Sequence, residues 1–264
     1  MSPTYQWNPA DYAQNSLGQE RWARELLEVA AIQPDEHVLD VGCGDGRMTA
    51  EIARRAARGR VVGVDRSAEM VDFAGRTFPS AEYPNLLFRQ SDARSLCFED
   101  EFTLVYSSAV LHWMREHPSV LAGVARSLRP GGRAVLQMGG KGNTMDVVRA
   151  FEECFREPRW QEASAAFEFP YSFYGTEEYR AWVEEAGLIP DAIELLDRDM
   201  VHPSRQAFTG WLRTAWLPFH AALPEDRRDA FLESVTECFL RQNPLDRFGQ
   251  VHVHAVRLQV LAHI

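Results

Sequence analysis

A short strand pattern, V-L-D-V at 38–41, runs directly into the glycine-rich turn G-C-G-D-G and then into a helical period from Met48. A buried strand that turns on glycines into a helix is the opening of a βα unit, and repeats of that unit build a parallel sheet. The pattern repeats through Met138. Strands are predicted at Val38 to Val41, Arg60 to Val64, Leu86 to Gln90, Leu104 to Ser107 and Arg133 to Met138, each with the composition of a strand buried on both faces. Helices fill the gaps at Met48 to Ala57, after Ser67 as N-cap, and at Pro118 to Leu128. The tetrad R-P-G-G, Arg129 to Gly132, is turn chemistry leading into the fifth strand.

Beyond Met138 the alternation stops until Ile189. Helical periods at Met145 to Phe155 and Thr176 to Ala186 flank the aromatic loop F-E-F-P-Y-S-F-Y, so 140–187 is expected to be a helical insertion serving as a lid. Further helices are predicted at Arg205 to Ala222 and Glu225 to Gln242. The tail V-H-V-H-A-V-R-L-Q-V-L-A alternates like a strand but changes phase between Ala255 and Val256, where a bulge is expected.

Composition excludes several function classes. With 28 basic and 38 acidic residues among 264, the net charge of −10 disfavours nucleic acid and anionic membrane as partners. The cysteines at 43, 97, 154 and 238 have none of the close spacings of zinc or redox motifs, so no metal is expected. No apolar run approaches the roughly 18 residues of a membrane span, and no signal peptide opens the chain, so cytoplasmic residence is expected. A single domain over 1–264 fits this length.

The candidate ligand site follows from the strand ends. Gly42, Gly44 and Gly46 let a ligand approach the backbone near a helix N-terminus. A dinucleotide fingerprint would need glycine at 47, which is Arg47, and the lysine of a phosphate-binding P-loop is missing. Asp40 would repel a pyrophosphate and suits a ligand bearing an ammonium or sulfonium. Asp65 ends the second strand, where a carboxylate accepts from two ribose hydroxyls; Asp92 ends the third, where it accepts from an adenine amino group beside the Ala93 amide. Each aspartate taken singly also suits a helix N-cap or a turn, but three at successive strand ends favour a nucleoside.

D-V-G-C-G-D-G, V-G-V-D, S-D-A and L-R-P-G-G together resemble the class I S-adenosylmethionine-dependent methyltransferases. The resemblance implies an α/β, Rossmann-like sheet of seven strands, mostly parallel with an antiparallel last strand formed by the tail. It implies S-adenosylmethionine as cofactor, with S-adenosylhomocysteine as product, and adds Arg66, Ser107 and Ser108 to the cofactor-contacting set. W-N-P-A-D-Y-A-Q-N-S-L-G-Q and S-S-A-V-L-H-W-M narrow it to carboxylate O-methyltransferases of the juvenile hormone acid and trans-aconitate type. E-P-R-W-Q resembles the former, P-L-D-R-F-G-Q-V the latter. On that resemblance, residues 1–20 cover the cofactor, Tyr12 faces it, and Gln19, His112 and Trp113 lie at a small-molecule carboxylic acid substrate. The aromatics Trp160, Phe167, Phe169, Tyr171, Phe173, Tyr174, Trp211 and Trp216 favour a lipophilic acid, such as juvenile hormone acid or a farnesoic acid-like compound, over a polycarboxylate, although a lid core explains most of them equally well.

A carboxylate is already ionised at neutral pH, so its methylation needs alignment and desolvation but no base. His112 then donates a hydrogen bond. For an amine or phenol substrate, the alternative, His112 would be the general base.

Overall fold

The computed structural model describes residues 17–160, 164 and 167–264, with side chains from residue 21 onward. Its seven strands, β1 (His37–Val41), β2 (Arg60–Asp65), β3 (Leu86–Gln90), β4 (Phe102–Ser108), β5 (Leu128–Gly139), β6 (Ile189–His202) and β7 (Val251–His263), lie in the order β3-β2-β1-β4-β5-β7-β6. β1 to β5 are parallel, and β7 runs antiparallel to β5 with Arg133 opposite His263 and Gly139 opposite Arg257. This is the Rossmann-like α/β sheet with an antiparallel last strand that the family resemblance implied.

Eight helices accompany it among the described residues: α1 (Leu17–Ala30), α2 (Arg47–Arg55), α3 (Ala68–Thr77), α4 (His117–Ser127), α5 (Met145–Phe155), α6 (Thr176–Glu185), α7 (Arg205–Ala215) and α8 (Glu225–Gln242). Ser67 caps α3 as expected, its hydroxyl accepting from the Met70 amide at 3.2 Å. Three expectations need correction. β3 is an edge strand, so it is not buried on both faces and Leu87 is 52% exposed. The helix read as Arg205 to Ala222 stops at Ala215 and gives way to a 3₁₀ turn at Leu217–Phe219, because Pro218 cannot donate to an α-helical ladder. R-P-G-G is an irregularity inside β5: the strand pairs Leu128 with Phe102, resumes at Arg133 opposite Leu104, and crosses the gap through Gly131 at φ 76°.

The chain divides into two compact units. The sheet unit comprises Gln19–Lys141, Tyr171–Leu196 and Arg257–Ile264; the helical unit includes Gly142–Pro170 and Asp197–Val256. The stretch 140–187 is therefore shared, with its aromatic loop joining the sheet unit from Tyr171. In the sheet unit, strand alternation sends Val38, Leu104 and Tyr106 to one face with Leu26 and Leu27 of α1, and Leu39 and Val105 to the other with Leu121, Val124 and Tyr179. β7 changes burial phase where its sequence pattern does. Val251, Val253 and Ala255 are buried, then Val256, Leu258, Val260 and Ala262.

In the helical unit, Phe219 meets Phe151 and Phe167 at 4.5 Å between ring centroids and Trp216 at 4.9 Å, while Trp160 meets Phe231 edge-on at 5.2 Å. Cys154, Glu157 and Cys238 also gather there within 4.8 Å. Arg241 donates to the Cys238 sulfur at 3.0 Å and Arg159 to Glu157 at 2.6 Å, so guanidinium groups already serve them.

Candidate active site

The carboxyl end of β1 forms a cradle. The amides of Gly42 and Cys43 both donate to the Val64 carbonyl, at 2.7 and 3.0 Å, which ties the turn to the end of β2. Gly42 has φ 82°, and a Cβ there would sit 2.1 Å from Val110 Cγ2, so packing alone demands glycine. Gly44 is different. Its φ is 52°, and a Cβ would meet nothing within 4 Å, so its backbone faces open space that a ligand can use. Gly46, at φ 83°, closes against Ala74 and Phe88.

The three strand-end aspartates occupy different environments. Asp40 is only 2% exposed and accepts from the Thr49 hydroxyl at 2.7 Å, which pins α2 to β1. Burial, assisted by the nearby negative charge of Asp65, pushes its carboxyl up to about 7. It lies beneath the turn. Asp65 accepts from the Gly44 amide at 3.0 Å through one oxygen and from the Ser67 amide at 2.9 Å through the other. Burial raises its carboxyl above the ordinary value against those hydrogen bonds. Each oxygen keeps further lone-pair capacity for a hydroxyl donor. Arg66 beside it is exposed, and its carbonyl accepts from Gln90 Nε2 at 3.0 Å. Asp92 caps the short turn Ala93–Ser95 and bonds the Arg94 guanidinium at 2.6 Å, which holds its carboxyl below the usual range. Ala93, the first residue of that turn, is buried.

After β4, Ala109 takes φ 61° and the chain makes a single 3₁₀ turn, Leu111–Trp113. Ser107 spends its hydroxyl on the Val41 carbonyl at 2.7 Å, sewing β4 to β1, while the Ser108 hydroxyl is buried at the strand end. The Gly139 amide donates to His112 Nδ1 at 3.3 Å, and the His112 carbonyl accepts from the Ser172 amide at 2.8 Å. Burial, then the charges of Arg257 and His117, hold the His112 imidazole well below its ordinary value, so the ring is neutral with its proton on Nε2. Trp113 packs edge-on to Tyr171 at 4.7 Å, and Tyr171 stacks on Phe173 at 5.5 Å.

Of the residues expected at a site, Gly42 to Gly46, Asp40 and Asp65 therefore come together, as do His112 and Trp113 with the aromatic loop. Tyr12 lies outside the described residues, and Gln19 is described only as part of the α1 backbone. Two buried groups escaped the sequence reading. His117 Nδ1 lies 2.5 Å from the Tyr179 hydroxyl and Nε2 donates to the Met114 carbonyl at 3.0 Å, bracing the turn that carries His112. Arg257 lies opposite Gly139; its signal was a cationic residue in a strand that ends up between two others.

Residues 38–132 match the family described as methyltransferase domain. Over 97% of each chain, the protein is 28% identical to a trans-aconitate 2-methyltransferase of Shigella dysenteriae. It is 39% identical to the Deinococcus radiodurans enzyme of that name across 132 residues, 50% of this chain and 49% of that one. Geranyl diphosphate C-methyltransferase from Streptomyces coelicolor A3(2), solved with S-adenosyl-L-homocysteine, shares the fold at a TM-score of 0.55 and 17% identity, over 92% of this chain and 75% of that one. Sheet order, glycine cradle and these likenesses are those of a class I S-adenosylmethionine-dependent methyltransferase, with the methyltransferase domain matched over residues 38–132. Its cofactor is S-adenosylmethionine, and its full-length curated relatives include trans-aconitate 2-methyltransferases.

Proposed function

We propose that this protein is an O-methyltransferase that esterifies a small carboxylic acid. The observation that carries the reading is the state of His112. Its Nδ1 accepts the Gly139 amide, which leaves the proton on Nε2, and no carboxylate hydrogen-bonds the ring among the described residues. A neutral imidazole in that tautomer, with its protonation disfavoured by burial and a neighbouring guanidinium, is a hydrogen-bond donor and a poor base. A carboxylate acceptor suits it, being ionised at neutral pH and needing no proton removed. The trans-aconitate 2-methyltransferases, similar over 97% of the chain, support the same class.

The cradle fits the cofactor: Gly44 presents open backbone, and Asp65 retains acceptor capacity for ribose hydroxyls. When bound, S-adenosylmethionine supplies a methyl group on a sulfonium. In this reading Asp92 and the Ala93 amide bind the adenine edge, with Arg94 fixing the Asp92 rotamer. Arg66 lies alongside the nucleoside, and the backbone at Ser107 and Ser108 holds the amino-acid portion. Asp40 shapes the turn from below through Thr49. His112 orients the acceptor, and Trp113 with Tyr171 keeps water from it. Tyr12 and Gln19 belong to the cofactor and substrate cover in the same reading.

The test is methyl transfer from labelled cofactor to acids, amines and phenols, followed by mild alkali. Esters release labelled methanol, whereas N-methyl and phenol ether products survive. Turnover confined to alkali-stable products would overturn the reading.

A further inference from the structure

The helical unit brings together two cysteines that lie 84 residues apart in the sequence. Cys154 stands in the last turn of α5 and Cys238 near the end of α8, with their sulfurs 3.3 Å from each other. Both are buried, Cys154 entirely and Cys238 with 3% exposed. A free cysteine packs well among apolar groups, so burial alone assigns no chemistry to either. The approach of one sulfur to the other, and the charge beside them, do.

The two sulfurs are not equivalent. Arg241 donates from Nη2 to the Cys238 sulfur at 3.0 Å, and Glu153 accepts from the same nitrogen at 2.6 Å. The Arg241 side chain is 58% exposed, so the guanidinium reaches the sulfur from the surface. Such an N–H meets the negative charge that a sulfur carries in nucleophilic attack. Cys154 has the other character: burial, then the adjoining Cys238 sulfur, pushes its thiol up, so it keeps its proton. A metal ion suits the cluster poorly although Glu157 stands near, because Arg241 and Arg159 already place positive charge on two of its three groups.

We propose that Cys238 is an oxidation site for hydrogen peroxide and that Cys154 resolves it, so that a disulfide joins α5 to α8. The Cys238 sulfur attacks one peroxide oxygen and the O–O bond breaks. Sulfur is oxidised to a sulfenic acid, and the departing hydroxide takes the thiol's proton to leave as water. The Cys154 sulfur then attacks the sulfenic sulfur, and its proton leaves with the displaced hydroxide as a second water. Two thiols and one peroxide thus give one disulfide and two waters. The sulfurs need to close by only about 1 Å, a matter of side-chain rotation. Peroxide is neutral and close to water in size, whereas a bulky disulfide such as oxidised glutathione does not reach sulfurs so enclosed. A bridge between positions this far apart restricts the unfolded chain and so raises the unfolding temperature.

The test treats the fully reduced, full-length protein with hydrogen peroxide, blocks the remaining thiols in denaturant and maps the linkage by mass spectrometry. A 154–238 disulfide is expected, reversed by dithiothreitol, with unfolding shifted upward by roughly 10 °C. Oxidised glutathione at the same dose should leave both thiols free. Cys154→Ser should stop at a Cys238 sulfenic acid that dimedone traps, and Arg241→Gln should slow linkage at least about fivefold. Should the serine variant fail to fold, mapping on wild type and the Arg241→Gln rate decide the matter. Thiols at 154 and 238 that survive peroxide, or oxidation confined to the exposed Cys97, overturn the site. An undiminished rate in Arg241→Gln overturns the attack assigned to Cys238.

Discussion

Hydroxyls and carboxylates in the two units illustrate two ways of satisfying a polar atom. In the helical unit, Ser234, Thr236 and Thr214 turn their hydroxyls back to carbonyls three or four residues earlier in the same helix, and the space between helices is filled by rings. In the sheet unit the partners are distant along the chain: Ser107 reaches the Val41 carbonyl, Gln137 reaches Gln259, and Asp65 reaches the Gly44 amide. Local bonds satisfy these hydroxyls within their own helices, with one link from Thr236 of α8 to Thr209 of α7 at 2.9 Å. Long-range bonds between strand ends hold groups from several loops in one arrangement, which a binding edge requires and a packed bundle does not. Stability and ligand binding should therefore respond to different mutations.

The largest effect is expected in the helical unit. Phe219→Ala removes a ring buried among Phe151, Phe167 and Trp216 and should cost about 3 to 5 kcal/mol in denaturant unfolding, with cofactor affinity unchanged below the transition. Parallel loss of affinity under native conditions would break the contrast. Next comes Asp40, whose folded-state value near 7 lies above its ordinary 3.8. The fold favours the protonated acid, so this contribution is complete below about pH 4 and disappears as pH rises through 7. Asp40→Asn, neutral throughout, should gain on wild type across that window by on the order of 4 kcal/mol, seen as a diverging Tm. A difference independent of pH would show that Asp40 ionises freely in the fold.

Asp65→Ala should weaken S-adenosylmethionine binding by about 1.5 to 3 kcal/mol in calorimetry, because hydroxyl donors lose a charged acceptor. An unchanged dissociation constant would remove the ribose assignment. The smallest effect belongs to His112→Asn, which keeps a donor and should slow single-turnover methylation by about tenfold or less. Since the imidazole is held below its ordinary value, the wild-type rate should show no inflection near about pH 6.5. A hundredfold loss together with such an inflection would make His112 a base.

The strands β1, β2 and β4 and the cap at Ser67 were legible because their signals are local: a buried run, a turn, a hydroxyl before a helix. The R-P-G-G segment misled because a turn inside a strand and a turn before one have the same composition, and only the pairing of Phe102 with Leu128 separates them. The aromatic run after Met138 was ambiguous for a related reason. A ring's sequence position does not tell whether it faces another ring or a ligand, and in the helical unit rings face rings. The glycines illustrate the limit well, since Gly42 and Gly44 are two apart in one motif, yet the first is demanded by Val110 and the second opens on space. Arg257 stayed hidden until strand order was known, because a polar residue in an alternating tail looks like a solvent-facing one until a neighbour covers it.

The pairing of β5 with β7 has a consequence for the way this protein is made. Gln137 and Gln259 are 122 residues apart, so nascent β5 leaves the ribosome long before the strand that will cover its free side. An uncovered strand edge is a template for pairing with another chain, and contacts this far apart are slow to close. The helical unit's residues are synthesised during that wait. The hydroxyl bonds internal to α7 and α8 need no missing strand, while the edge that will carry Arg257 depends on a late arrival. Translation pauses before Val251 would lengthen the exposure of β5, and the methyltransferase should be more prone to aggregate as a nascent chain than its finished sheet suggests.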